Sequence, residues 1–219
     1  MTGLEDIRRA AVVLFAERGY AATGIRDIGR AVGLNSATLY HYVGGKEELL
    51  TGVMRASLGE LLRTGREAVG HSVDPAVRLA RLVRAHVAME AVNPLTSRVC
   101  DSEVRSLTGP QRAVIIGLRD DSESLFRRTL EDGLRTGHFV LGDLRVARYA
   151  LLEMCNGVAN WYRPDGRLTV VELADRFSEL ACRMTGCRVV RRDECAPHVE
   201  IRRLGFEPAN RAGISEIPA

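Results

Sequence analysis

The stretch IRDIGRAVGLNSATLYHYVGGK, residues 25–46, decides the fold of the N-terminal part of this chain. Its first third repeats apolar residues at helical spacing and stops at Gly33, a residue suited to end a helix. After a tight turn, either Asn35 or Ser36 can cap a second helix that runs to about Tyr42. Two short helices joined in this way are typical of a unit that enters a DNA groove.

The second of these helices has little apolar surface to bury. Leu39 faces inward, whereas the side chains near the start of the helix are small, polar or aromatic: Ser36, Ala37, Thr38, Tyr40, His41 and Tyr42. Such side chains can touch base edges and methyl groups, and tyrosine hydroxyls can reach phosphate oxygens. The pattern therefore predicts a surface that reads DNA. The alternative is a plain three-helix cluster in which Tyr40 and Tyr42 cover a core.

A further helix precedes the quoted stretch. Ile7, Ala11 and Phe15 lie on one apolar face, and Gly19 ends the helix. With its FAERGY ending at residues 15–20, this helix and the stretch that follows resemble the DNA-binding domain of the TetR family of bacterial transcriptional regulators, over residues 4–50.

The resemblance implies DNA-contacting positions on two helices and after them. The family commonly has a hydroxyl residue where this chain has Gly24, and the neighbouring Thr23 can partly replace it. The positions that match the family's DNA contacts are Arg26 at a base, Ser36, Ala37, Thr38 and Tyr40 on the recognition helix, Tyr42 and Lys46 at phosphates, with His41 between them.

Charge alone does not indicate this surface, because residues 1–50 hold six basic and six acidic residues. Binding to a duplex would depend on where the cations point, so we expect few phosphate contacts and a moderate dependence on salt.

The rest of the chain predicts an all-α architecture. Helical periodicity continues from Lys46 as a long connecting helix, Asp74-Pro75 and Thr169 start further helices, and the pattern from Asp143 predicts one helix through Tyr162. The expected domains are a helix-turn-helix domain at 1–46, a helical ligand-binding and dimerisation domain at 47–186, and a C-terminal extension of unknown role at 187–219. The extension is expected either to form a short helix packed through Val199, Ile201, Leu204 and Phe206, or to be partly disordered.

The last two helices of the body concern assembly. The stripe Leu173, Ala174, Phe177, Leu180, Ala181 and Met184 faces small residues in the preceding helix. Part of it belongs to an internal core, but the resemblance implies pairing with a second copy as a four-helix bundle. Such a homodimer suits a palindromic operator in double-stranded DNA.

The resemblance also implies a small-molecule effector among the middle helices. Polar or large side chains beside apolar helix faces are the candidates: His86, Met89, Glu90, Glu103, Phe126, Met154, Asn160, Trp161 and Arg163. Each alone can equally be core or surface. The segment WYRPDGR, residues 161–167, resembles members that respond to acyl-CoA thioesters, whose phosphates Arg163 and Arg167 could meet. The alternative there is a helix-ending turn with solvated arginines.

Several classes of site and location are not predicted. No apolar run approaches a bilayer span and no leader is expected, which favours a cytoplasmic protein. Five cysteines without paired spacing fit reduced thiols, and Cys187, Cys195 and His198 are too irregularly spaced for a metal site. No cofactor and no catalytic constellation is predicted.

Three hypotheses follow from these patterns. The first is a ligand-responsive regulator of transcription that represses from a palindromic operator and is released by a small molecule, for which an acyl-CoA-like thioester is one candidate. The second is an enzyme, and the third is a helical interaction module that has lost DNA affinity, which Gly24, Gly44 and the neutral N-terminal charge keep open.

Overall fold

In the computed structural model, which describes residues 3–208 and 217–218, the N-terminal region consists of three helices. These are α1 (Leu4–Arg18), α2 (Ile25–Ala31) and α3 (Ser36–Val43). Ile7, Phe15, Ile28 and Leu39 form their shared core and are almost completely buried. The expected trihelical unit is therefore present, and we call residues 4–43 the head.

The turn between α2 and α3 depends on two glycines. A Cβ on Gly29 would lie 2.7 Å from the carbonyl oxygen of Leu34. Glycine has no Cβ and is the one residue type that avoids this clash. Gly33 has φ +70°, a left-handed conformation that favours glycine. The side chain of Asn35 then accepts a hydrogen bond from Thr38 N (2.8 Å), so Asn35, rather than Ser36, caps α3.

The body is built from longer helices. They are α4 (Lys46–Gly70), α5 (Pro75–Val92), α6 (Pro94–Ser102), α7 (Gly109–Arg135), α8 (Leu144–Asn156), α9 (Val158–Trp161) and α10 (Val170–Met184). The all-α fold class is confirmed. The single helix expected from Asp143 to Tyr162 is wrong in one respect, because Gly157 separates it into α8 and α9. Among the described residues, no helix has both the length and the apolar character needed to cross a membrane.

Helix α5 lies at the centre of the body. Every residue from Pro75 to Ala91 except Arg78 is buried, because α4, α7, α8 and α10 pack around it. Its buried arginines need partners. Arg81 donates to the carbonyl of Ala68 (2.7 Å) and to the carbonyls of Cys195 and Pro197, and Arg84 pairs with Asp175.

The C-terminal extension packs along this body in extended form. The predicted contact residues are in place, with Val199, Ile201 and Phe206 buried and Leu204 partly buried. The predicted helix is wrong: the described part holds one 3₁₀ turn (Asp193–Cys195) and the strand β1 (Glu200–Ile201), antiparallel to β2 (Ile217–Pro218). Side chains of the body bond to the backbone of the extension instead, since Arg81 donates to the carbonyls of Cys195 and Pro197, and Asn93 donates to that of Arg202 (3.2 Å). Residues 209–216 and 219 lie outside the described part.

Residues 204–207, which we call the clasp, join the head to the body. On the body side, Leu204 N donates to the side chain of Asn93 (2.8 Å). The Glu207 carboxylate accepts from the backbone N–H groups of Leu95 (2.9 Å) and Thr96 (3.0 Å) at the start of α6. These bonds satisfy groups that the first turn of a helix leaves free.

The clasp contacts the head through one aromatic ring and one hydrogen bond. Phe206 packs with Val12 of α1 and Val53 of α4, all three buried. Arg9 of α1 donates to the carbonyl of Gly205 (2.6 Å). The extension therefore limits how freely α1 can move relative to α6.

Candidate DNA-binding surface and effector cavity

The outer edge of α3 is accessible from solvent. Tyr40 and Tyr42 are 49% and 47% exposed, although both are large aromatic residues. Ala37 and His41 are also exposed, and Ser36 and Thr38 are half-buried. Leu39 alone is fully buried and fixes the rotation of the helix. All six predicted side chains are therefore at least partly accessible from solvent, which a helix that reads the major groove requires.

Arg26 lies on the exposed side of α2, in the helix that precedes the recognition helix. The neighbouring Asp27 is engaged within the protein, because it accepts from Gly24 N (3.0 Å) and lies 3.5 Å from Arg30. Asp27 thus supplies one half of a capping box, and Gly24 has no side chain to supply the other half. Arg26 is available to a duplex.

Two predicted DNA contacts have internal roles. Thr23 is only 1% exposed, and its hydroxyl donates to the carbonyls of Leu14 (3.2 Å) and Gly19 (2.9 Å). The prediction that Thr23 replaces a phosphate-contacting hydroxyl is therefore wrong. Its hydroxyl instead donates to backbone carbonyls at the C-terminal end of α1, where the helix itself supplies too few donors.

Lys46 bridges the turn after α1. Its Nζ donates to the carbonyls of Tyr20 and Thr23, both at 2.9 Å, and lies 4.0 Å from the centre of the Tyr20 ring. The ammonium group is therefore committed to the protein, and a phosphate contact would have to compete with these bonds. Tyr20, an aromatic residue just after Gly19, was the sequence signal that could have indicated this arrangement.

A cavity of about 170 Å³ opens in the body between α4, α5, α6, α7 and α8. Three of the predicted ligand-binding residues, His86, Met89 and Glu90, line it. The others that line it were not predicted: Ser57, Leu58, Leu61, Ser97, Cys100, Asp101, Arg119, Ser122, Glu123, Tyr149, Leu152, Glu153 and Asn156. They come from four further helices, so only the packing brings them together.

The floor of the cavity is polar but carries little charge. Burial lowers the pKa of His86 to about 4, which leaves its imidazole neutral. Its Nε2 donates to Oδ1 of Asn156 (2.8 Å) and lies 3.8 Å from Oε1 of Glu90. Burial, and secondarily the charge of Asp101, raise the pKa of Glu90 well above its ordinary value, which favours the protonated carboxyl.

Two hydrogen-bonding atoms in this cavity have no partner within the described residues. They are Oε2 of Glu90 and Oγ of Ser122, and both atoms are buried. A buried polar atom without a partner costs free energy, so such atoms point to a missing partner. A protonated Glu90 and a serine hydroxyl can both donate to an uncharged oxygen of a ligand.

More exposed charged groups line the same cavity. Arg119 forms an ion pair with Asp101 (3.1 Å), and the two side chains are 34% and 39% exposed. Glu123 is held by Arg148 (3.0 Å). Tyr149 is 48% exposed. The cavity thus passes from a neutral floor to a charged rim.

Six predicted ligand-binding residues lie elsewhere. Glu103 accepts from Tyr20 N (3.1 Å) and so joins the head to the body. Phe126 is buried behind the cavity, with its ring 5.8 Å from that of His86, and Met154 packs against the core.

The distinctive segment near residue 161 does not line the cavity either. Asn160 is exposed, and Trp161 stacks on Phe177 at 6.1 Å while remaining 53% exposed. Arg163 is 79% exposed and lies 3.9 Å from Asp165. Arg163 thus agrees with the alternative of a helix-ending turn with solvated arginines, and the arginine that lines the cavity is Arg119.

Helix α4 connects the cavity with the DNA-binding surface. Near its start, Leu50 and Met54 belong to the same core as α1, α2 and α3. Further along, Ser57, Leu58 and Leu61 line the cavity. A displacement of α4 by a ligand would reach the head through one continuous helix.

The outward faces of α8 and α10 expose apolar side chains. Leu173, Ala174 and Ala181 of the predicted stripe are buried in the internal core. Leu180 and Met184 of α10 are 52% and 38% exposed. On α8, Val146 is 65% exposed, and Tyr149 is also on the surface. Exposed apolar faces of this kind mark surfaces that associate.

Family models match most of the chain. The model for bacterial regulatory proteins of the tetR family matches residues 7–53, and the model for the tetracyclin repressor-like C-terminal domain matches residues 72–185.

Among the described residues, no group of three or more histidine, cysteine, aspartate or glutamate side chains could hold a metal ion.

Individual relatives agree with these models. The HTH-type transcriptional repressor KstR2 of Rhodococcus jostii is 33% identical over 180 residues, which cover 80% of this chain and 86% of that protein. A tetR-family regulatory protein from Rhodococcus RHA1 has a solved structure with TM-score 0.78 and 29% identity, covering 86% of this chain and all of that one. AibR in complex with isovaleryl coenzyme A and operator DNA has TM-score 0.69 and 25% identity, covering 81% of this chain and 96% of that one. The accessible α3 edge, the two matched domains and these relatives together place the chain in the TetR family of DNA-binding transcriptional regulators.

Proposed function

We propose that this protein represses transcription by binding a palindromic operator as a homodimer, and that a small molecule entering the cavity at Glu90 releases it. The observation that carries the proposal is helix α4, which begins under the DNA-reading head and lines the cavity with Ser57, Leu58 and Leu61. A ligand that favours one position of α4 must change operator affinity by the same coupling free energy that DNA imposes on the ligand.

The proposed DNA contacts are Arg26 and the outer edge of α3. The head has as many acidic as basic residues up to position 50, so specific side chains rather than bulk charge would supply affinity. Tyr40 and Tyr42 are the largest exposed groups on this edge. The proposed second copy would pack against the exposed Leu180 and Met184 of α10 and against Val146 of α8, as a four-helix bundle.

The proposed effector is a short-chain acyl-CoA thioester. One related structure holds isovaleryl coenzyme A together with operator DNA. Pockets that enclose a whole drug-sized ligand usually measure roughly 300–1,000 Å³. A cavity of about 170 Å³ suits only the acyl end. The neutral Glu90 carboxyl could donate to the thioester oxygen, and Arg119 could meet a phosphate outside.

A regulator of this kind acts where its operator DNA is, so we propose that the protein is cytoplasmic. We also propose that it has no enzymatic activity. The domain division proposed from the sequence, 1–46, 47–186 and 187–219, is retained as part of this proposal. The finding that would overturn the non-enzymatic part is turnover of an acyl-CoA thioester by the purified protein.

The test measures binding of the full-length protein to labelled DNA from the promoter beside its own gene, by fluorescence anisotropy. We expect salt-sensitive binding that Tyr40→Ala and Arg26→Ala each weaken by roughly tenfold, since a lost base contact costs about 1–3 kcal/mol. Arg163→Ala, which removes an exposed arginine far from the head, is the matched control. An absence of binding at low salt would favour the interaction-module hypothesis instead.

A second arm adds isovaleryl coenzyme A to the preformed complex. We expect loss of the anisotropy signal as the thioester is titrated, and no loss with free coenzyme A. Retention of the complex with every acyl-CoA tested would reject this effector class, while leaving the DNA-binding part intact.

A further inference from the structure

Two cysteine side chains meet at the C-terminal end of α10. Cys182 lies in the last turn of the helix and is completely buried, and Cys187 follows the helix and is half-buried. Five positions separate the two residues, across the C-terminal end of the helix. The remaining cysteines, Cys100, Cys155 and Cys195, are buried elsewhere.

A helix-ending backbone motif holds the two residues together. Cys187 N donates to the carbonyl of Cys182 (3.0 Å), and Gly186 N donates to that of Arg183 (3.2 Å). Gly186 has φ +67°. These two bonds with a left-handed glycine form a Schellman motif, which brings the side chain after the glycine over the helix residue five positions earlier. The sequence CRMTGC, residues 182–187, has cysteine at both of these positions.

The chain on the far side of Cys187 is also anchored. Arg188 forms ion pairs with Asp74 at the start of α5 (3.0 Å) and with Glu194 (2.5 Å). The hydroxyl of Thr185 lies 3.5 Å from Sγ of Cys187, and it also donates to the nearer carbonyls of Ala181 (2.9 Å) and Cys182 (3.1 Å). The Cys187 thiol itself donates to the carbonyl of Arg188 (3.4 Å). Cys187 therefore lies in a segment that is held on both sides, next to the end of the helix that carries Cys182.

We infer that Cys182 and Cys187 form a redox-active dithiol, which a hydroperoxide converts to an intramolecular disulfide. The partly exposed Cys187 thiolate attacks the peroxide, the O–O bond breaks, and Cys187 becomes a sulfenic acid while the peroxide leaves as water or an alcohol. The Cys182 thiol then displaces the sulfenic hydroxyl as water and forms the S–S bond. With hydrogen peroxide, two thiols and one peroxide give one disulfide and two waters.

The pKa values of the two thiols also indicate that Cys187 reacts with the peroxide before Cys182 reacts with the sulfenic acid. The neighbouring Cys182 thiol, and secondarily the Thr185 hydroxyl and the charge of Arg188, lower the pKa of Cys187 to about 6 despite partial burial. The same thiol contact and burial raise the pKa of Cys182, and Arg84 opposes that effect only in part. Cys187 is thus the nucleophile and Cys182 the resolving thiol.

Trypsin makes the disulfide directly measurable. Cleavage after Arg176, Arg183 and Arg188 places Cys182 in the peptide FSELACR and Cys187 in the peptide MTGCR. The full-length protein, reduced and freed of reductant, is treated with one equivalent of hydrogen peroxide near neutral pH, alkylated, digested and analysed by mass spectrometry. We expect the two peptides joined by a disulfide in most chains, and their separation by a dithiol reductant.

Single substitutions separate the roles of the two sulfurs. In Cys182→Ser, Cys187 should accumulate a sulfenic acid that dimedone traps on MTGCR. In Cys187→Ser, Cys182 should stay reduced. Cys155→Ala, which removes a buried cysteine outside the pair, is the matched control and should form the disulfide as the unaltered chain does. The unaltered chain tests the inference even if Cys182→Ser fails to fold.

Three outcomes would overturn the inference. Both cysteines could remain alkylatable after peroxide treatment, Cys187 could become a sulfinic acid while Cys182 stays reduced, or the linkage could join two chains, which a non-reducing gel would reveal. The DNA-binding measurements above do not involve this pair, so either result leaves the proposed function to its own test.

Discussion

At the scale of single residues, burial determines the protonation of the groups that line the cavity. Glu90 and His86 are neighbours on α5, and burial shifts both toward their uncharged forms. Their effects on stability have opposite signs. Folding lowers the pKa of His86 from 6.5 to about 4. The free energy of unfolding therefore rises with pH between these two values, because the unfolded chain binds the additional proton there. Folding raises the pKa of Glu90 above 4.5, so the free energy of unfolding falls as pH rises above this value.

We predict that Glu90→Gln removes the fall in the free energy of unfolding that Glu90 causes as the pH rises. Glutamine keeps the shape and donor capacity of the protonated carboxyl and does not titrate. Above pH 6.5, where His86 has already lost its proton, the free energy of unfolding of the variant should rise relative to that of the unaltered chain by up to ~1.4 kcal/mol per pH unit. Urea unfolding at several pH values measures this difference.

Glu17→Gln provides the matched control, because Glu17 is exposed on α1 and remote from the cavity. Its stability should depend on pH as that of the unaltered chain does. Parallel curves for the unaltered chain and Glu90→Gln would mean that Glu90 is already ionised at neutral pH, and that its proposed donor role is wrong.

At the scale of elements, two glycines of similar sequence context have opposite structural roles. Gly29 lies where α2 meets the following turn, and a Cβ there would approach the carbonyl oxygen of Leu34 to 2.7 Å. Gly59 lies within α4, and a Cβ there meets nothing within 4 Å. Propensity alone would favour alanine at both helical positions. Only the close approach of backbone atoms distinguishes them.

We therefore predict that Gly29→Ala destabilises the protein by about 1–3 kcal/mol, as expected for overpacking. Gly59→Ala, the matched control, should stabilise it by about 0.4–1 kcal/mol, because alanine has fewer unfolded conformations to lose. Chemical denaturation measures both values. Equal effects of the two substitutions would show that the α2–α3 turn relaxes without cost.

At the scale of the whole molecule, the clasp makes the head and the body one packed unit. Phe206 fills the space between Val12 and Val53, and Glu207 holds the start of α6. An effector that moves α4 must therefore move the head against this contact as well. The clasp would add to the free energy that the proposed displacement of the head requires.

We predict that Phe206→Ala lowers the free energy of unfolding by about 3 kcal/mol, the lower end of the range for a buried phenylalanine. It should also change the amount of effector needed to release DNA, because the contact resists motion of the head. Val73→Ala, at a side chain that is 94% exposed, is the control and should change neither quantity. An unchanged unfolding curve for Phe206→Ala would mean that the clasp is not bound in solution.

The sequence by itself determined the head, the helical class and most helix ends. These features depend on local rules: apolar spacing for Ile28 and Leu39, a left-handed glycine at position 33, and capping residues at positions 35, 74 and 169. Local rules need only neighbours along the chain, so they can be applied before the fold is known.

Only the tertiary structure decided the cavity and the roles of Thr23, Lys46 and the extension. Arg119 and Asn156 line the cavity together with His86 from other helices, and no spacing in the sequence relates them. Lys46 turns to the carbonyls of Tyr20 and Thr23 because the end of α1 lies beside the start of α4. The physical reason is the same in each case: packing between distant segments determines which polar group faces which partner, and a linear pattern does not carry that information.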